Sequence, residues 1–143
     1  MSYNEIPNIL VDSISLPNKP LSNLEIIDAA KKLSLYGFRV VFLRDTPPTK
    51  TKLNECGIFN LDSSSGDGTH WVIWFKKGQD KLYFDSYGVQ PPSELITYLM
   101  SPIFYNSERV QQNGEVFCGH LVLFTLKQLS LGNNLQAVKT YLI

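Results

Sequence analysis

Cys118 stands at the head of an apolar run, Phe117-Cys118-Gly119-His120-Leu121-Val122-Leu123-Phe124. Two earlier pieces carry partners for a thiol: Gly68-Thr69-His70-Trp71 leads a β-like segment, and Tyr83-Phe84-Asp85-Ser86-Tyr87-Gly88 ends the next one. A cysteine attacks as thiolate, which a helix N-terminus and a nearby imidazolium both favour. An imidazole can exchange protons with sulfur and leaving group, and a carboxylate can fix its tautomer. The chemistry these types allow is acyl transfer through a thioester. It also needs donors for an oxyanion, which the Cys118 N–H and a side-chain amide from Gln111 or Gln112 would supply.

Each residue also has a plainer reading. A free cysteine is often a small core residue. His70 could simply hydrogen-bond a loop, and Asp85-Ser86-Tyr87-Gly88 is good turn chemistry. Trp71 is either a shield over the site that touches substrate or an ordinary core aromatic. Gly119 is expected to leave substrate room beside the sulfur. His120, two positions along the same helix, points away from Cys118 and is read as a surface or structural histidine. Cys56, Cys118, His70 and His120 lack the close ligand pairs of a zinc site, so neither a metal nor a cofactor is expected.

Positioning these groups takes a particular set of elements. Leu21-Ser22-Asn23-Leu24-Glu25-Ile26 predicts a helix start: Ser22 and Glu25 make a capping box, and Leu21 staples onto Ile26. Ile26, Ala29, Ala30 and Leu33 give that helix one buried face. Phe38 to Leu43 reads as a strand, stopped by Asp45-Thr46-Pro47-Pro48. Gly57 to Leu61 is a short strand. Asp62 to Gly68 is a connector into the strand His70 to Phe75. A polar turn from Lys76 to Lys81 then returns Leu82-Tyr83-Phe84-Asp85 alongside as a hairpin. An antiparallel pair of this kind sets His70 and Asp85 at the same end of the sheet. Pro91-Pro92-Ser93-Glu94 opens a short helix through Met100, and Glu108 to Gln111 is a weak edge strand. A helix runs from about Cys118 to Leu131 with Gly132 as its stop. Asn134 caps a last helix, Leu135 to Leu142.

The class that follows is α+β, a central mainly antiparallel sheet flanked by helices. With 143 residues and 43% hydrophobic content the chain suits one domain with one core. Residues 1–20, which hold Pro7, Pro17 and Pro20, read as an extended lead-in, and 21–143 as the single domain. Thirteen basic residues balance thirteen acidic ones, so no charged field suits nucleic acid. The start Met1-Ser2-Tyr3-Asn4-Glu5 lacks the look of a signal peptide, and no apolar run reaches bilayer length. A soluble protein with reduced cysteines is expected, a monomer, with no membrane partner.

The ordered set His70, Asp85, Gln111 or Gln112, Cys118 resembles the adenovirus maturation protease (adenain-like) family. It is more similar to the proteases of Maverick/Polinton elements and virophages, relatives of the SUMO and ubiquitin-like proteases. The resemblance runs from Leu21 to about Leu129 and includes Phe38 to Asp45, Cys56-Gly57-Ile58-Phe59-Asn60-Leu61, Gly68-Thr69-His70-Trp71, Phe84-Asp85-Ser86-Tyr87-Gly88, Val110-Gln111 and Cys118-Gly119-His120. It implies a papain-like-related core with His70 as general base, Asp85 as its orienter, Cys118 as nucleophile and a glutamine in the oxyanion hole. Val110-Gln111 followed by six residues and Cys118 matches the adenoviral spacing and favours Gln111; Gln112 matches the SUMO-protease spacing.

The activity implied is that of a viral cysteine endopeptidase cutting capsid and core precursors during virion maturation. Its location would be the virion and the assembly sites of host cytoplasm or nucleus. Two other readings stay open: a deubiquitinase or deSUMOylase acting on host conjugates, and a catalytically silent capsid-associated scaffold. Asp85 replaces the glutamate of the adenoviral enzyme. Ser101 to Arg109 has no cysteine for a disulfide-linked activating peptide, so that cofactor is not carried over, and charge neutrality argues against stimulation by DNA. The chain also ends soon after Leu129, where the adenoviral enzyme continues. Clamps built from that extension are expected to be absent or replaced.

Overall fold

The computed structural model describes residues 16–17, 19, 21–35, 37–43, 50–61, 70–110, 118–132 and 134. The first described helix, α1, spans Asn23–Lys32. Its start is fixed by the expected capping box: the Glu25 N–H donates to Ser22 Oγ at 3.2 Å and the Ser22 N–H to Glu25 Oε1 at 2.9 Å. Ile26, Ala29 and Ala30 form its buried stripe. Lys31 and Lys32 occupy the last turn, where cations suit the helix C-terminus.

Five strands form one sheet in the order β1-β2-β3-β4-β5: β1 Phe38–Leu43, β2 Asn54–Asn60, β3 Trp71–Lys77, β4 Asp80–Phe84 and β5 Phe104–Tyr105. Its centre, β2-β3-β4, is antiparallel as expected, while β1 and β5 join parallel at the two edges. The β3–β4 hairpin is tighter than the expected polar loop. Lys77 pairs with Asp80, and only Gly78 and Gln79 lie between. Gly78 takes the left-handed φ of 62° that a two-residue turn demands. β2 starts earlier than Gly57, and the edge strand lies at Phe104–Tyr105, while the described residues 108–110 of the expected one are in no strand.

Alternation along the strands sends residues to two layers. Cys56, Ile58, Trp71, Ile73, Phe75 and Phe84 join one apolar cluster with α1 and with α3, Cys118–Ser130. Phe59, Val72, Trp74 and Tyr83 join another with Leu95 and Leu99 of α2, Ser93–Leu99. α3 is apolar nearly all round because it is covered on more than one side; Leu121, Leu123 and Leu126 are fully buried. Gly57 is required by a close approach: a Cβ there would stand 2.4 Å from Trp74 Cη2.

Near the start of β2 the buried carboxylate of Glu55 is saturated. Oε1 accepts from Trp74 Nε1 at 3.0 Å and from the Tyr98 hydroxyl at 2.7 Å, while Oε2 accepts from the Lys52 N–H at 2.8 Å and lies 3.4 Å from Arg39. This network fastens α2 and β1 to the sheet. Among the described residues no helix is long and apolar enough to cross a membrane. The connector 62–69, both glutamines and the expected C-terminal helix lie outside the described residues.

Candidate active site

β3 and β4 bring the first two groups together. Their last regular pair is Ile73 with Phe84, and continuing that register sets His70 opposite Tyr87. The two rings stack, centroids 4.6 Å apart and planes 14° from parallel. His70 Nε2 lies 2.8 Å from Asp85 Oδ1. That oxygen also accepts the Tyr87 N–H at 2.8 Å, so the carboxylate is held by its own turn as well as by the imidazole. The Arg109 guanidinium carbon stands 4.6 Å from the centroid of the Tyr87 ring.

The turn is docked on the segment after β5. The Asn106 amide donates to the Asp85 carbonyl at 2.6 Å and its Oδ1 accepts the Asp85 N–H at 3.1 Å. The Val110 N–H donates to Ser86 O at 2.8 Å. Gly88, with φ 72°, lies so close to this segment that a Cβ would be 2.9 Å from the Glu108 carbonyl carbon.

Cys118 begins α3 and is 7% exposed, at the helix end whose free N–H groups favour an anion. Its side chain lies near enough to the His70 ring to interact with it. Burial alone would push the imidazole toward neutrality; hydrogen bonding and charge from Asp85 and Cys118 outweigh it and raise the His70 pKa from 6.5 to about 9. Nδ1, the nitrogen not used by Asp85, is buried and makes no hydrogen bond of ordinary geometry. Such open contacts are common in unliganded sites and tighten around substrate. Near neutral pH the ring is therefore a cation beside a sulfur.

Trp71 takes the core one of its two expected roles, and Gly119 has another duty than the one expected. Trp71 is 2% exposed, and its indole N–H donates to Leu21 O at 3.3 Å; it is a core residue. The space beside Gly119 is filled by protein: a Cβ would meet Ile26 Cδ1 at 3.0 Å and Leu21 Cβ at 3.2 Å. Its smallness lets α1 and the residues before it close on α3, which corrects the expectation of substrate room there. His120 is fully buried, and its Nε2–H donates to Pro17 O at 2.8 Å, so of the two expected roles it has the structural one. Burial holds its pKa below the usual value. Gln111 and Gln112 lie outside the described residues. Asn106 is the site-region residue that sequence reasoning missed, since one asparagine in an irregular stretch carries no signal.

Sheet order and helix placement define a mixed α+β fold, a five-stranded sheet with three described helices. Among solved structures the chain is similar to the African swine fever virus (ASFV) pS273R protease, with a TM-score of 0.55 and 16% sequence identity. The match covers 85% of this chain and 61% of that one, and at such identity the likeness is one of fold. No family model and no curated protein sequence matches the chain.

Proposed function

We propose that this chain is a viral cysteine endopeptidase that cuts capsid or core precursors during virion maturation, in the particle and at its assembly sites. The observation that carries the reading is a single imidazole that is bound to Asp85 through Nε2 and also interacts with Cys118. The distant fold likeness to a viral protease agrees with it.

In this reading the Cys118 thiolate attacks the scissile carbonyl, forming an S–C bond while the carbonyl electrons move to oxygen. The Cys118 N–H, with Gln111 or Gln112, holds that oxyanion. Collapse breaks the C–N bond as the His70 imidazolium gives its proton to the leaving amine. Neutral His70 then takes a proton from water, hydroxide attacks the thioester, and the thiolate departs beside a recharged imidazolium. Asp85 keeps the ring aligned throughout.

The deciding experiment incubates structural precursors with the chain or with Cys118→Ala and maps new termini by mass spectrometry. New termini are expected with the active chain alone. Identical termini with both proteins would refute the assignment of Cys118. Labelling of Cys118 by ubiquitin-like probes with a C-terminal electrophile, without any precursor cleavage, would overturn the choice of substrate.

A further inference from the structure

The stretch after β4 inverts the usual rule of burial. Phe104 and Tyr105 are 64% and 43% exposed, whereas Asn106 beside them is 1% exposed. Hydrophobic packing cannot explain a strand end that leaves its aromatics in water and buries its amide. Hydrogen bonding can. Regular pairing of β4 stops at Phe84, and the Asp85 peptide groups that follow are buried and need partners. The Asn106 carboxamide supplies both, accepting from the Asp85 N–H and donating to the Asp85 carbonyl, so one side chain stands in for a further rung of the sheet. Its second amide hydrogen goes to Glu108 O at 3.1 Å, which ties the grip to its own loop.

We propose that Asn106 is a positioning residue that acts through Asp85, holding the backbone of the acid so that its carboxylate meets His70 Nε2. The inference rests on the peptidase reading for its use in catalysis, although the geometry it concerns exists in the resting protein. The Asp85 carboxylate reaches His70 over 2.8 Å. A backbone free to shift by even a fraction of an ångström would lengthen that bond, and the imidazole would lose part of what holds it charged. Fixing the peptide on both its donor and its acceptor side limits rotation as well as translation. The Gly88 N–H, which donates to the same carbonyl at 2.8 Å, lies within the turn itself; Asn106 fixes the turn to the rest of the sheet.

The test reads the His70 ring directly. The chain has two histidines, so each imidazole can be followed by NMR across a pH titration, with His120 reporting on an intact core. In Asn106→Ala the His70 midpoint is expected to fall by about one unit or more from the wild-type value. Asn106→Ser, which keeps one polar atom, should fall between the two and remains folded if the alanine variant does not. In an Asp85→Asn background, Asn106→Ala should leave the midpoint where Asp85→Asn alone puts it. A folded Asn106 variant with the wild-type midpoint would overturn the proposal. So would an undiminished further fall in the Asp85→Asn background. Failure of the wild-type chain to cleave any precursor would sink the peptidase reading and leave this titration to decide the role of Asn106.

Discussion

Two buried carboxylates sit near opposite ends of the same sheet, and their surroundings differ in one respect. Glu55 meets an indole N–H, a phenol, a backbone N–H and a guanidinium, so both of its oxygens are engaged. Asp85 also has its partners, but one of them is an imidazole whose far nitrogen is buried and makes no ordinary hydrogen bond. A closed network spends every donor and acceptor on holding the fold, and nothing is left to exchange with a visitor. The Asp85 network ends instead on a ring that has one nitrogen outside any ordinary hydrogen bond and that also interacts with Cys118. Two acids of comparable burial thus differ in their partners, and on the proposed reading those partners give them different tasks.

The comparison breaks most visibly at Asp85. Asp85→Asn should lower kcat/KM on a peptide substrate by about two to four orders of magnitude, because an amide no longer enforces the required tautomer. Steady-state kinetics checks this, and an effect under about threefold would deny Asp85 its orienting role. On the basic side, kcat/KM should fall with a midpoint near the His70 value of about 9 as the proton for the leaving amine is lost. A flat profile through that range would remove His70 as the acid.

The same ionisation should appear in stability. Because the folded pKa of His70 is raised above 6.5, its contribution is complete below pH 6.5 and is lost as pH climbs through about 9. The loss is at most about 3 kcal/mol, measurable as a falling denaturant midpoint across that window. Asp85→Asn should flatten it.

At the other end of the sheet, Glu55→Gln should cost about 1–3 kcal/mol, since the indole, phenol and guanidinium lose a charged acceptor. The His70 titration and the kcat/KM of the folded variant should not change. A displaced His70 midpoint would mean that the two ends are coupled. The smallest effect is expected at Gly119→Ala. The added methyl must displace Leu21 and Ile26, for about 1 kcal/mol of stability, with cleavage kept. Loss of cleavage without loss of stability would return Gly119 to the substrate side.

What the sequence disclosed follows from how local each signal is. The capping box at Ser22, the apolar stripe of α1 and the long apolar helix at Cys118 are written in neighbouring residues and stand where expected. The adjacency of His70 and Asp85 needed one further step, the antiparallel return of β4 on β3, which alternation and the glycine turn make legible. Glu55 hid because a charged residue argues against a buried strand; three distant partners, Arg39, Trp74 and Tyr98, reverse that argument. Asn106 hid because one asparagine in an irregular stretch carries no signal, and the edge strand was sought a few residues too late because its aromatics are exposed and lack alternation. Trp71 and Gly119 were drawn toward substrate by nearness in sequence to His70 and Cys118. In space the indole N–H and the missing side chain both answer to Leu21.

The bond from His120 to the Pro17 carbonyl has a practical corollary for anyone shortening this protein. Trimming that leaves Pro17 in place preserves the acceptor. Cutting at residue 20 would strand a buried ring nitrogen two residues from Cys118, so crystallisable or tagged versions should begin upstream of Leu16.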